Sequence, residues 1–233
     1  MILITGASQG IGYACAKALL ERTEAPILLT GRCAEKLERA RESLPAQQRE
    51  RVRTRDCDQG DPGAVDRLIA ELAGPEPLEG AILTVGVNPL YREGPQRLHS
   101  LDAATIDATI RTNCTHALRM SAALLGRFRQ QRGGVLIWIG SRVARVGMPG
   151  AALYGATKAF LSGLAVAAHR EYAGRGVRVH LLNPGIVRTP RTAAVADDFA
   201  VQHGLEVAEA PDVARRVVDV FLAGDPGAVE MDL

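Results

Sequence analysis

Short apolar runs alternate with longer amphipathic stretches along most of the chain. The short runs predict seven strands: Met1–Thr5, Ile27–Thr30, Val52–Arg55, Ala81–Val85, Gly134–Gly140, Val177–Leu182 and Val229–Asp232. The longer stretches carry apolar residues at helical spacing and predict six helices: Gly10–Arg22, Ala34–Leu44, Pro62–Leu72, Asp102–Arg132, Ala151–Ala173 and Pro211–Leu222. Positions 135–139 are apolar throughout, which is typical of a strand buried on both faces of a parallel sheet.

This alternation of strands and helices predicts one α/β domain over residues 1–233, a doubly wound parallel sheet with helices on both faces. Three irregular stretches, 86–100, 141–150 and 183–209, each follow the carboxyl end of a predicted strand. Open α/β sheets bind their ligands at this edge. We therefore expect the functional site to lie among these three stretches.

Composition narrows the class of protein further. With 47% apolar and 23% charged residues in 233 positions, the chain is expected to be globular. A net charge of +2 gives no case for a nucleic-acid partner, and no apolar stretch reaches the length of a bilayer crossing. The four cysteines, Cys15, Cys33, Cys57 and Cys114, form no CxxC pair, which argues against a metal site or a disulfide framework and for the reducing cytoplasm.

The first predicted strand is joined to the first helix by a glycine-rich loop, Thr5-Gly6-Ala7-Ser8-Gln9-Gly10-Ile11-Gly12. Gly6 permits a tight turn, Gly10 lets the backbone approach a pyrophosphate, and Gly12 allows helix and strand to pack closely. The free N–H groups at the start of the helix favour phosphate. An ordinary glycine-rich turn is the alternative, but the strand–loop–helix context favours a dinucleotide site that also includes Ser8, Gln9 and Ile11.

Tyr154 and Lys158 are four residues apart on a predicted helix and therefore share one face. A nearby ammonium favours the phenolate, so we expect the pKa of Tyr154 to fall from about 10 toward the working range. Such a tyrosine can exchange a proton with an alcohol or a developing alkoxide. Ser141 lies 13 residues before Tyr154, just past a strand, where its hydroxyl can hydrogen-bond a substrate oxygen. For Tyr154 and Lys158 alone, a solvated surface pair is the alternative.

These motifs, in this order, make the chain resemble the classical branch of the short-chain dehydrogenase/reductase family over nearly its whole length. The motifs are TGxxxGIG, Tyr-x-x-x-Lys with the preceding serine, and Asn183-Pro184-Gly185. The resemblance implies a Rossmann fold and hydride transfer between a nicotinamide cofactor and a carbonyl or alcohol, with Tyr154 as the acid/base. It also implies that Asn113 helps to hold a water for proton relay.

The resemblance places a second set of residues on the cofactor. The segment Pro184–Thr189, which includes Gly185, is expected beside the nicotinamide, where Ile186 contacts the carboxamide through its backbone and Thr189 through its hydroxyl. Asp58 matches a family aspartate that contacts the adenine. The family usually has Asn-Asn-Ala-Gly after its fourth strand, and this chain has Leu83-Thr84-Val85-Gly86. The departure keeps Gly86 but changes the packing expected near the adenine ribose and the bond that braces the central strand.

The end of the second strand bears on the choice of cofactor. NAD selectivity usually requires a carboxylate there, to accept a hydrogen bond from the ribose 2′-OH. Gly31 and Arg32 stand at this place, and a guanidinium can bind a 2′-phosphate. The sequence therefore favours NADP(H) over NAD(H).

The sequence specifies the substrate less fully than the cofactor. The residues leave open a small ketone or alcohol and a carrier-bound acyl group. Four arginines lie in two of the segments expected around the substrate: Arg142, Arg145, Arg188 and Arg191. They suggest an anionic substrate or carrier; solvated or cofactor-binding arginines are the alternative.

The helix Ala151–Ala173 is rich in small residues, and the resemblance makes it part of an interface between copies of the chain. We therefore expect a homodimer or homotetramer.

The main hypothesis is an NADP(H)-dependent ketoreductase or alcohol dehydrogenase. A non-catalytic cofactor-binding regulatory or interaction protein on the same scaffold is the first alternative, because one fold hosts many functions. The presence of Ser141, Tyr154 and Lys158 argues against it. An epimerase or dehydratase of the family's extended branch is the second alternative, and both the short chain and the glycine spacing argue against that.

Overall fold

Seven parallel strands form the central sheet of the computed structural model, which describes residues 1–223 and 228–233. The strands of this sheet and of a second, smaller one are, in chain order, β1 (Ile2–Thr5), β2 (Ile27–Gly31), β3 (Val52–Asp56), β4 (Gly80–Leu83), β5 (Gly134–Ile139), β6 (Val177–Asn183), β7 (Ile186–Arg188), β8 (Val207–Glu209) and β9 (Glu230–Asp232). The order across the sheet is β3-β2-β1-β4-β5-β6-β9, and β7 pairs with β8 in a small parallel sheet of its own. The strand order reverses beside β1, which confirms the doubly wound architecture.

The helices lie between these strands. They are α1 (Gly10–Arg22), α2 (Ala34–Glu42), α3 (Ala46–Arg49), α4 (Pro62–Leu72), α5 (Leu90–Glu93), α6 (Ala103–Ile110), α7 (His116–Gln131), α8 (Val143–Val146), α9 (Ala152–Tyr172), α10 (Ala196–His203) and α11 (Ala210–Leu222). A 3₁₀ turn spans Leu98–Ser100, and a π-helical turn, Arg111–Thr115, joins α6 to α7. Five of the six predicted helices are present within a few residues of their expected ends, and the sixth, Asp102–Arg132, is divided into α6 and α7.

The core lies on both faces of the sheet, as the apolar strands predict. On one face, Ile2 and Ile4 pack with Leu19 of α1 and Phe221 of α11. Leu3 points to the other face and belongs to the cluster under α4, α7 and α9. Each strand of the middle of the sheet therefore has side chains buried in both directions, which stabilises a three-layer structure.

The structure departs from the sequence prediction near the carboxyl edge, where the stretches expected to be irregular also contain the helices α5, α8 and α10. The helix expected over Asp102–Arg132 is interrupted by the π-helical turn, which apolar periodicity does not reveal because the pattern continues on both sides. The strands β7 and β8 have three residues each, too few for a periodic signal. Within residues 1–223 and 228–233, none of the helices combines the length and the apolar character that a membrane crossing requires.

Candidate active site

The glycine-rich loop forms a tight turn between β1 and the amino end of α1. Gly6 and Gly10 have φ angles of +65° and +60°, in the left-handed region that favours glycine. A Cβ on Gly12 would lie 2.8 Å from the carbonyl oxygen of Gly6, and one on Gly10 would lie 3.3 Å from Cγ2 of Thr189. The N-cap residue Gln9 makes no side-chain bond to the first turn of α1, so the backbone N–H groups there can bind an anion.

Thr84 braces the end of β4, although the asparagines that the family has at this place are absent. Its backbone N–H donates to Oγ1 of Thr5 over 3.1 Å, and its hydroxyl donates to the carbonyl oxygen of Thr5 over 2.6 Å. The same hydroxyl would lie 2.6 Å from a Cβ on Gly6. Thr84 therefore connects the end of β4 to the end of β1 and contacts the glycine loop, at a position where the family has an asparagine.

The end of β2 is the place where the sequence predicts the adenosine ribose of the cofactor. Gly31 is buried, and a Cβ there would lie 3.7 Å from Oγ of Ser8, so the loop passes directly beside this strand end. The next residue, Arg32, is exposed. Asp58 Oδ1 accepts a hydrogen bond from the N–H of Gly60 over 2.8 Å, which gives this aspartate a role in forming a turn. Its predicted contact with the adenine stays a prediction.

Lys158 lies one turn after Tyr154 on α9 and is almost completely buried. Its Nζ donates to the carbonyl oxygen of Ile139, at the end of β5, over 2.8 Å and lies 5.6 Å from the centroid of the Tyr154 ring. Burial lowers the pKa of Lys158 to about 8, while the nearby thiol of Cys114 acts in the opposite direction. The side chain therefore carries a positive charge at neutral pH.

Tyr154 does not have the lowered pKa that the sequence suggested. Burial raises the pKa of the phenol above its ordinary value, and the neighbouring Tyr91 raises it further. The side chain of Ser141 and the charge of Arg191 lower the pKa, but by less. The expectation that the ammonium of Lys158 dominates is wrong here, because removal of the phenol from water is the largest influence on its pKa.

Asn113 occupies the π-helical turn, a feature often found at functional sites. Its Oδ1 accepts from the N–H of Val87 over 2.8 Å, and its Nδ2 donates to the carbonyl oxygen of Val87 over 2.8 Å and to Oγ1 of Thr157 over 3.0 Å. The side chain is buried and connects the stretch after β4 to α9. Asn113 thus holds the loop of Gly86 and Val87 against the helix of Tyr154 and Lys158.

Ser141 is positioned by a chain of polar contacts that reaches the last strand. Its N–H donates to Oδ1 of Asn183 over 3.0 Å, and Nδ2 of Asn183 donates to Oε1 of Glu230 over 2.7 Å. Glu230 also accepts from Ser162 over 3.0 Å and forms an ion pair with Arg145 at 2.8 Å. The motif around Asn183 marked that residue, but no sequence signal marked Glu230, because its partners are 47 and more positions away.

The segment after β6 closes the other wall of the cleft. The carbonyl oxygen of Pro184 accepts from the N–H of Arg142 over 3.1 Å, and Ile186 begins β7 opposite Val207. Thr189 packs on Gly10 of the glycine loop. The segment Pro184–Thr189 therefore spans from the Ser141 loop to the glycine-rich loop, and its predicted contact with the nicotinamide stays a prediction.

Two of the four arginines expected near the substrate serve the structure instead. Arg145 pairs with Glu230 and Asp232 at 2.8 and 3.2 Å, and Arg188 pairs with Asp197 and Glu209 at 2.6 and 2.8 Å. Their charges are compensated by carboxylates, so the proposed anion site does not include them. Arg142 and Arg191 remain candidates.

Known proteins resemble this chain in sequence and in overall fold. The profile of the family described as short chain dehydrogenase matches residues 1–199. The 3-oxoacyl-[acyl-carrier-protein] reductase FabG of Escherichia coli is 29% identical over 231 residues, which cover 97% of this chain and 90% of that protein. Sulfoacetaldehyde reductase 2 of Chromohalobacter salexigens is 32% identical, with 82% of this chain and 74% of that protein covered. A short chain dehydrogenase from Burkholderia cenocepacia, solved in complex with NADP, superposes with a TM-score of 0.81 at 28% identity, covering 100% of this chain and 94% of that chain.

Proposed function

Because the chain belongs to the short-chain dehydrogenase family, we propose that it interconverts a ketone and a secondary alcohol by hydride transfer, with Tyr154 as the acid/base. The protein is an NAD(P)-dependent oxidoreductase. One observation carries the proposal: Tyr154 lies where the hydroxyl of Ser141 acts on its phenol, and the buried ammonium of Lys158 lies 5.6 Å from the centroid of its ring.

The residues of the cleft fit a dinucleotide. A Cβ on Gly86 would lie 3.1 Å from Nζ of Lys158, so the backbone of Gly86 passes directly beside this ammonium. The glycine loop and the amino end of α1 would bind the phosphates, and Lys158 with the Pro184–Thr189 segment would bind the nicotinamide half. When bound, the cofactor supplies or accepts the hydride.

NADP(H) is the preferred cofactor in this proposal. Gly31 provides no carboxylate to repel a 2′-phosphate, and the exposed guanidinium of Arg32 follows it directly. A relative at 28% identity was solved in complex with NADP. Both features support NADP(H) over NAD(H).

The residues around the phenol have distinct roles in proton transfer. Because burial raises the pKa of Tyr154, the phenol is protonated at neutral pH and can donate its proton to a carbonyl oxygen during reduction. The hydroxyl of Ser141 orients the phenol and hydrogen-bonds the same oxygen. The ammonium of Lys158 stabilises the phenolate that remains. In the oxidative direction, the same groups take the proton from the alcohol.

The relatives suggest two classes of substrate. Their names describe one enzyme that acts on a 3-oxoacyl group of an acyl carrier protein and one that acts on sulfoacetaldehyde. We accordingly expect either a small carbonyl compound with a polar group or a carrier-bound acyl group. The Asn88–Tyr91 and Ser141–Met148 segments would surround either of them.

The proposal predicts that Tyr154→Phe removes turnover but not cofactor binding. Oxidation of NADPH and of NADH is measured against a panel of ketones, and the dissociation constant of NADPH is measured by nucleotide fluorescence. We expect the rate to fall by about 10²- to 10⁴-fold, the usual contribution of a general acid. The dissociation constant should stay within about twofold.

Tyr172→Phe is the matched control, because Tyr172 ends the same helix away from the cleft. Equal turnover by the Tyr154 and Tyr172 variants would refute the assigned proton donor. A wild-type protein that binds NADPH but reduces no member of the panel would favour the alternative of a non-catalytic cofactor-binding protein.

A further inference from the structure

His116 is a buried histidine at the first position of α7, directly after the π-helical turn. Its side chain is 1% exposed, and Nδ1 is hydrogen-bonded to the carbonyl oxygen of Gln59, 57 positions earlier in the chain. Because a carbonyl oxygen only accepts, Nδ1 carries the proton of this bond. An apolar side chain could fill the same space, but it could not fix the direction of the Gln59 carbonyl.

The peptide unit between Gln59 and Gly60 connects His116 to Asp58. Its carbonyl oxygen accepts from Nδ1 of His116, and its N–H donates to Oδ1 of Asp58 over 2.8 Å. A trans peptide unit is planar, with its C=O and N–H pointing in opposite directions, so a constraint on one end constrains the other. The bond from His116 therefore limits the direction in which the Asp58 carboxylate is held.

This peptide lies in a tight turn after β3, which we name the Asp58 turn (residues 58–61). The N–H of Cys57, directly before it, donates to the carbonyl oxygen of Gly31 over 2.8 Å. The Asp58 turn therefore lies beside the end of β2, where the sequence predicts the adenosine ribose of the cofactor. Asp58 itself is predicted to contact the adenine.

The π-helical turn lies against the Asp58 turn at a second point as well. A Cβ on Gly60 would lie 3.7 Å from Oγ1 of Thr112, which is buried. Thr112 and His116 thus face the Asp58 turn, while Asn113 between them bonds the backbone of Val87. One short element therefore holds both the predicted adenine contact and the stretch after β4.

We propose that His116 is a positioning residue, which holds the Asp58 turn in the conformation that binds the adenosine half of the cofactor. The inference rests on the function proposed above and adds a residue that acts on the cofactor through another segment. Without the Nδ1–H donor, the Gln59–Gly60 peptide could rotate, and the binding conformation would be present for only part of the time. The affinity for the nucleotide falls by that fraction.

The first test measures binding of the adenosine half without turnover. 2′,5′-ADP, which contains the adenosine and its 2′-phosphate, is titrated by calorimetry into wild type and two variants. His116→Leu keeps the side-chain volume and removes the donor. His116→Asn removes volume but keeps an amide N–H near the place of Nδ1.

We expect His116→Leu to weaken 2′,5′-ADP by about 5- to 20-fold, the effect of losing a buried hydrogen bond. His116→Asn should bind within about threefold of wild type, because its donor can still reach the Gln59 carbonyl. The KM for NADPH should rise in the leucine variant by far more than kcat falls. A leucine variant that binds the nucleotide better than the asparagine variant would show a packing role and overturn the inference.

A second test follows the route through Asp58. Asp58→Ala is combined with His116→Leu in a double-mutant cycle. If His116 acts by orienting Asp58, the leucine change should weaken 2′,5′-ADP by less than about twofold once the carboxylate is gone. Additive losses would overturn this route. Should the leucine variant fail to fold, His116→Met gives the same comparison, because its flexible side chain fills space without a donor.

Ser121→Ala is the matched control, because Ser121 is also buried on α7 and its hydroxyl accepts from Nε1 of Trp138 over 2.9 Å. This variant should lose stability in thermal unfolding but keep its affinity for 2′,5′-ADP. Equal weakening of the nucleotide by Ser121→Ala and His116→Leu would show a general loss of packing, which overturns the inference.

Failure of the proposed function gives a different result. A wild-type protein that binds 2′,5′-ADP and NADPH but reduces no ketone would overturn the proposed activity, and the binding constants would still decide the role of His116. Unchanged binding in His116→Leu, with ketone reduction intact, would overturn this inference alone. A wild-type protein that binds neither nucleotide would overturn both.

Discussion

At the scale of single residues, two strand ends around the cleft carry residues that differ from those usual in the family. Thr84 replaces an asparagine of the family pattern and still donates hydrogen bonds to the side-chain hydroxyl and the carbonyl oxygen of Thr5. Gly31 and Arg32 replace the carboxylate that would select NAD(H). The role of a residue at this scale follows from the hydrogen bonds that its atoms can donate or accept and from the charges that they repel. Each such role can therefore be tested by one substitution.

Arg32→Gln is predicted to reduce the preference for NADPH. The dissociation constants of NADPH and NADH are measured by nucleotide fluorescence for both proteins. Loss of a charge-assisted hydrogen bond to a phosphate should weaken NADPH by about 10- to 100-fold, while NADH should change little. Arg39→Gln on α2 is the matched control, because Arg39 is also exposed but pairs with Glu35. Equal weakening of NADPH and NADH would contradict the assignment of the 2′-phosphate to Arg32.

At the scale of elements, the site depends on two short pieces of structure. The π-helical turn places Asn113 where it bonds both backbone groups of Val87, which a regular helix would present differently. The three-residue strand β9 places Glu230 beneath the Ser141 loop. Each element is short, but each fixes the position of a segment that contains a predicted catalytic residue.

Glu230→Ala is predicted to impair catalysis by displacing Ser141. The change removes the acceptor of Asn183 and Ser162 and the partner of Arg145, and Asn183 then no longer holds the N–H of Ser141 firmly. We expect the free energy of unfolding to fall by about 2 kcal/mol, since a mostly buried charged acceptor is lost. The value of kcat should fall more than the affinity for NADPH.

Asp232→Ala provides the control, because Asp232 also pairs with Arg145 but is half-exposed and its side chain does not bond Asn183. Chemical denaturation measures stability, and steady-state kinetics measures kcat and KM. If the two alanine variants behaved alike, the link from Glu230 through Asn183 to Ser141 would have no catalytic role. Glu230→Gln should recover part of kcat, because its amide oxygen can still accept from Asn183.

At the scale of the whole molecule, one side of the protein presents apolar and small side chains to solvent. On α6 and α7, Ile110 and Leu118 are 42% and 43% exposed, and on α9, Phe160 and Val166 are 38% and 37% exposed. The small residues Ala152, Ala156, Ala159 and Gly163 of α9 are exposed as well. Small side chains allow helices to approach closely, so we expect copies of this chain to associate through α7 and α9.

Phe160→Glu is predicted to dissociate this assembly. A charge introduced in the middle of the α9 face would be buried without a partner at the interface, so we expect the mass in solution to fall to that of a smaller species. Sedimentation velocity or light scattering after gel filtration measures the mass. Leu222→Glu, at a residue of equal exposure on α11, should not cause the same change. A wild-type protein that is monomeric would contradict the expected homo-oligomer.

The sequence alone was enough to predict the features that depend on neighbouring positions. Apolar runs and helical spacing predict the doubly wound sheet, because burial on both faces shows directly in the residues of each strand. The glycine loop and the one-turn spacing of Tyr154 and Lys158 are likewise local, since a backbone turn and a helix face are set within a few residues.

Only the tertiary structure decided the features that depend on distant residues and on burial. Arg145 and Arg188 have carboxylate partners that no local pattern identifies, and Glu230 reaches Ser141 through Asn183 from the far edge of the sheet. The pKa of Tyr154 rises because folding removes the phenol from water, and this desolvation outweighs the charges nearby. Contacts between segments far apart in the chain and the loss of solvent both arise when the chain is packed, so a list of residues does not contain them.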